Sequence, residues 1–407
     1  MPFVLGRRQL LRAGLATAAL PGLRSLAFAE GAAAPLLVLV SLRGGMDGLH
    51  VLSPADDRHF VEARDAGLRT AAEGDRAGHR LDAVPDTDFR LHREAGPLAA
   101  IWREGRMAIW PAAGVPEPTR SHFEAQALMC LGRGLQSDRG GSKGWLASWA
   151  ETLAHGTNGV TALSAQASPT LELQGMRGGI ALSNLAGGLA LPGGRFGEAM
   201  LAALHGADAG PAALAGRQAI ANLRSVDQLL PRNAQGQVAD HVPAGRADYA
   251  RGQAFGRSLA VIAQLARLNP GLMAAGVDLG GWDTHEGQAG RLSAVLRVLA
   301  NGLAAFDEDM AELPRPWTVL VASEFGRRLR NNRSGGTDHG RAGLIFAFGG
   351  GAGRRFGLGR HFGPWPGLAP EALEEGVDLR VATDYRDAFR SVLTELAPAG
   401  RPPFPTG

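Results

Sequence analysis

Residues 317–340 read WTVLVASEFGRRLRNNRSGGTDHG. The opening run, 317–322, is apolar and rich in β-branched residues, and it does not alternate. That pattern predicts a strand buried on both faces of a parallel sheet. Ser323 and Glu324 stand at its carboxyl end, and a polar, glycine-rich loop follows, closing on Asp338, His339 and Gly340 before a second apolar run at 344–348. Loops that leave the carboxyl ends of parallel strands are where α/β sheets bind ligands. Two carboxylates and an imidazole there form a candidate metal site. Read alone, a solvated Glu324 and an Asp338 that merely starts a turn explain the same letters.

Further strand ends repeat the pattern. Leu36–Leu42, LLVLVSL, is another unbroken apolar run, and it ends in Arg43-Gly44-Gly45-Met46-Asp47-Gly48. The two glycines permit a sharp turn that presents Asp47 at the strand's carboxyl end. Residues 272–279 predict a strand that ends in Gly280-Gly281-Trp282-Asp283-Thr284-His285. In extended chain, Asp283 and His285 point to the same side, so one ion can take both. Residues 106–111 predict a strand leading to 112–126, AAGVPEPTRSHFEAQ, where Ser121 followed by Glu124 reads as a capping box opening a helix that runs to Leu131. A serine at a helix amino terminus also sits where backbone amides and the helix dipole favour an oxyanion, which makes Ser121 a candidate nucleophile and Thr119 its rival.

Composition bounds the rest. Arg7-Arg8-Gln9-Leu10-Leu11-Arg12, the mild apolar run 13–20 and Ala27-Phe28-Ala29 predict a twin-arginine (Tat) export signal over residues 1–29, with the translocon as a transient partner and a periplasmic or secreted product. Its apolar run is too short to span a bilayer, so no stable membrane span remains after cleavage. The formal charge of +3 includes four arginines and no acid within residues 1–29, which leaves −1 on the mature chain. The sequence therefore offers no basic surface or zinc-finger spacing for nucleic acid. A single cysteine, Cys130, excludes an intramolecular disulfide and a thiolate metal cluster. Residues 30–407 predict a single α/β domain with 133–245 as a cap or insertion, 54–95 as loop and short helix, and scaffold helices over 249–268, 291–313 and 384–396.

The order Asp47, Ser121, Asp283 with His285, Glu324, then Asp338 with His339 resembles the alkaline phosphatase-like superfamily, which includes sulfatases and cofactor-independent phosphoglycerate mutases. More closely, GGMDGL, TRSHFEAQ, GGWDTHEGQ, SEFGR and GTDHG are similar to the motifs of the bacterial domain-of-unknown-function 1501 family. The resemblance implies an α/β three-layer sandwich with a mostly parallel central sheet flanked by helices. It also implies a divalent-metal hydrolase acting on small phosphate or sulfate esters. Asp47, Asp283, His285, Glu324, Asp338 and His339 would be the metal residues, Ser121 or a metal-bound water the nucleophile, and Arg120 and His122 the anion-binding residues. Glu324-Phe325-Gly326 stands where the superfamily has Asp-His-Gly, and Asp283 to His285 is a short spacing, so one ion is expected, Zn²⁺ or Mn²⁺. The alternative is a non-catalytic periplasmic binding or assembly protein that keeps the fold. A metal-free triad of Ser121, His339 and Asp338 is a further reading.

Overall fold

Every residue of the first strand, β1 (Leu36–Leu42), is buried. Leu36, Val38 and Val40 enter one apolar cluster, and Leu37 and Leu39 enter another on the opposite face. Covering on both sides is why the run carries no polar alternation. The computed structural model describes residues 34–132, 143–154, 159–185, 189, 193–206, 210–269, 271–353 and 356–397. The export-signal reading of residues 1–29 lies outside these.

After β1 the chain forms two short helices, α1 (Gly48–Val51) and α2 (Arg58–Ala63), and three short strands, β2 (Leu52–Pro54), β3 (His79–Val84) and β4 (Thr87–Leu91). Next come α3 (Gly96–Arg103), β5 (Met107–Gly114), α4 (His122–Leu131) and α5 (Trp145–Leu153). The middle of the chain holds β6 (Ala162–Ser164), β7 (Gly179–Ala181), α6 (Gly194–Gly206) and α7 (Pro211–Leu229). Then follow α8 (Gln253–Leu268), β8 (Ala274–Leu279), α9 (Gln288–Met310), β9 (Trp317–Ser323), β10 (Arg327–Asn331), β11 (Thr337–His339) and β12 (Gly343–Gly350). Two-residue strands β13 (His361–Phe362) and β14 (Thr383–Asp384) precede the last helix, α10 (Tyr385–Leu396).

The main sheet runs β13-β5-β12-β9-β1-β8-β6-β7, with β14 also on β5. It is mostly parallel; β12 is antiparallel to both β5 and β9. Helices α3, α8 and α9 cover one face, through Trp102, Leu259, Leu296 and Phe306 among others. Helices α4, α5 and α10 cover the other, through Ala125, Trp149 and Phe389. The chain is thus an α/β protein with a large, mostly parallel sheet flanked by helices. In α9 the buried Leu292, Leu296, Leu299, Leu303 and Phe306 recur every three or four residues, the spacing of one helix face. Asp384 caps α10 by accepting from the Arg386 amide at 2.9 Å.

Register places the site. Leu42 of β1 lies opposite Leu279 of β8 and Ser323 of β9, so three strand ends release their loops side by side. Antiparallel β12 starts at that same end, with Gly343 opposite Ala113 of β5, which brings His339 there from the other direction.

Residues 54–95 differ from the sequence reading. They include a three-stranded antiparallel sheet, β2-β4-β3, and not only loop and short helix. Its strands are short, and charged Arg80, Asp88 and Arg90 alternate with only a few inward residues, Leu81, Phe89 and Leu91, so no period stands out. Within 133–245, β6 and β7 extend the main sheet beyond β8, and α6 packs against α7. No helix among the described residues is long and apolar enough to cross a membrane.

Candidate metal centre

Three imidazoles meet one carboxylate at the carboxyl end of the sheet. His285 Nε2 lies 3.0 Å and His339 Nε2 3.2 Å from Asp283 Oδ1. His122 Nε2 lies 3.8 Å from Asp283 Oδ2. Donor atoms of His122, Asp283 and His339 all fall within 4.8 Å of one another. They come from three places: the start of α4, the loop after β8, and the end of β11.

Two of the imidazoles are held from behind. His122 Nδ1 donates to Glu324 Oε1 at 2.8 Å, and His339 Nδ1 donates to the Arg120 carbonyl at 3.0 Å. His285 Nδ1 lies 3.4 Å from Asp338 Oδ1. A carbonyl or carboxylate can only accept, so in neutral His122 and His339 the proton stays on Nδ1, and the Nε2 lone pair faces inward. His285 and His339 set two Nε2 atoms 2.9 Å apart, a contact that a proton on His285 Nε2 or a shared cation satisfies. The inward lone pairs of His122 and His339 beside the Asp283 carboxylate suit a cation at their centre. Two nitrogens on one tetrahedral Zn²⁺ lie roughly 3.3 Å apart, close to this spacing.

One positive charge is already present. Buried Arg327 donates from Nη2 to Asp283 Oδ1 at 2.7 Å and fixes the loop after β1 through the Gly44 and Gly45 carbonyls, each at 2.6 Å. Burial alone would raise the Asp283 carboxyl, but the bond and charge of Arg327 outweigh it and hold it below its usual range. Desolvation, with Arg327 nearby, lowers His339 and favours its neutral, ligating form. Glu324 is 3% exposed. Desolvation would raise it, yet bonds from Gln126, the backbone and His122 keep it ionised below its ordinary value. The Phe325 ring packs 4.8 Å from His122 and 4.7 Å from His339, forming an apolar wall.

Close backbone approach explains the glycine at 44. It has φ +124°, and a Cβ there would lie 2.5 Å from the Asp283 amide nitrogen.

Other candidates fall elsewhere. Asp47 is fully buried away from the imidazoles, paired with Arg64 at 2.6 Å and accepting from Gln288 Nε2 at 2.6 Å. The Arg64 pair and the α1 cap it forms through the His50 amide account for it as structure. Glu324 acts on His122 and not directly on the shared space. Asp338 faces His285, whereas the Arg120 carbonyl orients His339, so the triad of Ser121, His339 and Asp338 is not assembled. The Arg120 guanidinium turns to Asp378 and Glu375. Ser121 precedes α4, but its hydroxyl makes no capping bond, contrary to the capping-box reading; Thr119 takes Glu124 instead, at 2.6 Å. Ser121 is exposed beside His122. Arg327, Gln288 and the Arg120 carbonyl went unassigned in the sequence; only the position of Arg327 inside SEFGR hinted at a role.

Residues 107–383 match the family described as protein of unknown function (DUF1501), and the chain belongs to that family. It matches no curated protein.

Proposed function

For this member of the family we propose an exported, metal-dependent hydrolase of small phosphate or sulfate esters, built on an alkaline phosphatase-like sandwich. The observation that carries the metal is the shared orientation of His122 and His339, each with Nδ1 donating to an outer acceptor and Nε2 turned towards Asp283, beside His285, whose Nε2 lies 3.0 Å from the same carboxylate. Carboxylate- or carbonyl-backed histidines are how metal sites fix tautomer and ring direction. Three imidazoles and one carboxylate favour Zn²⁺ over the oxygen-seeking Mg²⁺ or Ca²⁺, with Mn²⁺ second.

A divalent ion held there supplies Lewis-acid polarisation of an ester oxygen and lowers the pKa of water. The chain's own residues do the rest. Glu324 and the Arg120 carbonyl hold the ligand rings, Arg327 orients Asp283, and Phe325 limits water on one side. Ser121, exposed at the start of α4, would attack the phosphorus or sulfur centre, with a water as the competing nucleophile. Export through the Tat route is consistent with a protein that folds around its metal before translocation.

The test is turnover of aryl phosphate and aryl sulfate esters by the Zn²⁺-loaded protein, its chelated form and Ser121→Ala. The proposal expects activity in the first, loss on chelation, and loss in Ser121→Ala with metal retained. Equal activity with and without chelator would overturn the metal role, and full activity in Ser121→Ala would assign attack to water. A non-catalytic binding or assembly role has two observations of its own: Asp283 Oδ1 is already satisfied by Arg327, and Phe325 occupies a ligand position of the superfamily. Stoichiometric metal with no turnover of either ester would favour it.

A further inference from the structure

A second concave site lies on the other side of a buried network from the imidazoles. It is a cavity of about 430 Å³ between the loop of residues 67–76, His50 of α1 and residues 92–93 just after β4 on one side, and the first turns of α9 on the other. His50 forms part of its wall and meets Gln288 at 3.2 Å; Gln288 in turn binds Thr284 and Thr337, which flank the ligand loops. Buried side chains thus separate the two sites.

The cavity's charge is one-sided. Arg69, Arg76, Arg93 and Arg297 line it, and no aspartate or glutamate does. Arg297 is neutralised by a two-pronged bond to Glu94, at 2.7 and 2.9 Å, and Arg93 Nε lies 3.7 Å from the same carboxylate. Arg69 and Arg76 are not compensated: neither guanidinium has a hydrogen bond or ion pair among the described residues. The Nε of Arg69 is moreover buried and lacks an acceptor. A buried guanidinium donor without a partner costs free energy that an incoming acceptor would recover. Ala289 and Gly290, in the first turn of the 23-residue α9, belong to the same wall, where helix amides have no acceptor within the helix. Ser293 adds a hydroxyl, 3.3 Å from His92 Nε2. His50 and His92 contribute no charge at neutral pH, because burial lowers them to about 3 and about 4.

We propose that this cavity is a second ligand site for a phosphoryl oxyanion, carried on a small organic molecule or present as free phosphate. Planar guanidinium forks match the paired oxygens of such a group, and the volume leaves room for an organic tail beyond the anion. The site is independent of the hydrolase reading.

The experiment is calorimetric titration of inorganic phosphate and, separately, of propylphosphonate, whose carbon–phosphorus bond resists hydrolysis. Four proteins are compared: the parent, His285→Ala, Arg69→Gln with Arg76→Gln, and Arg76→Gln alone, the last altering an exposed side chain whose loss costs the fold little. Binding of at least one probe is expected in the parent and in His285→Ala. Its affinity falls about tenfold or more in the double variant and measurably in Arg76→Gln. Tighter propylphosphonate identifies an organic phosphate as the ligand, and tighter inorganic phosphate identifies the free ion. Binding of neither probe, affinities unchanged in both arginine variants, or binding abolished by His285→Ala would each overturn the proposal.

Discussion

Replacing Glu324 with glutamine isolates what the carboxylate behind His122 contributes. Glu324 Oε1 accepts from His122 Nδ1 at 2.8 Å, from the Gly44 amide at 2.9 Å and from Gln126 Nε2 at 2.9 Å, while Oε2 meets Ser323 Oγ at 2.9 Å. Glutamine has the same shape. Its carbonyl can keep the first three bonds, and its amide can donate to Ser323 Oγ, which retains the Leu42 carbonyl 2.7 Å away as acceptor. The fold therefore loses little, about 1–2 kcal/mol for the charge assistance of those bonds. The metal loses more in relative terms, because a neutral partner leaves the His122 ring less basic and less firmly oriented. Partners of this kind carry about 10- to 100-fold in metal affinity, or roughly 1.4–2.7 kcal/mol. Zn²⁺ affinity is read by competition with a chromophoric chelator, parent against variant at one pH. Affinity within about twofold of the parent's in a folded Glu324→Gln protein would refute the outer-partner role of Glu324.

Further outcomes follow from the same contacts. Arg64→Ala strands the buried Asp47 charge and destabilises the fold by about 3–5 kcal/mol in urea titration, yet leaves metal content unchanged; loss of metal with intact stability would restore Asp47 as a ligand. Gly44→Ala forces a Cβ against the Asp283 amide, so both the unfolding midpoint and metal affinity fall, and an unchanged affinity would mean that the 44 and 283 loops are not coupled. His50 is neutral in the fold, at about 3, against roughly 6.5 when unfolded, so between those values the unfolded chain binds more protons and stability rises with pH. Lowering the pH from 7 to 5 therefore costs the parent about 2 kcal/mol through this residue, a share that His50→Gln lacks; parallel stability slopes in the two proteins would contradict it.

Much of this was legible in the chain itself. Unbroken apolar runs at 36–42 and 317–322 announced doubly covered parallel strands, because their short, β-branched stretches lack the alternation of a half-exposed strand. Asp283 and His285 were legible as a pair from extended geometry alone. His122 was noticed only as an anion-binding neighbour of Ser121, since a histidine on a helix's first turn carries no spacing that reveals which strand end it faces. Asp47 and Asp283 look alike as acids after paired glycines. What separates them is Arg64, 17 residues further on, which folds back onto Asp47 and removes it from the site. Such long-range pairing leaves no local signature, and the same is true of the Arg120 carbonyl behind His339. The β2-β4-β3 sheet escaped notice for the opposite reason: its strands are too short for alternation to rise above the surrounding charges.

The measurement that bears most directly on the metal centre is elemental analysis of the protein purified without chelator, beside the Asp283→Asn, His285→Ala double variant. Close to one equivalent of a transition metal, zinc foremost, is expected in the parent and its loss in the folded variant, with Asp47→Asn retaining it. A well-folded parent without stoichiometric metal, or a double variant that keeps it, would contradict the assignment of His122, Asp283, His285 and His339 as one metal-binding set.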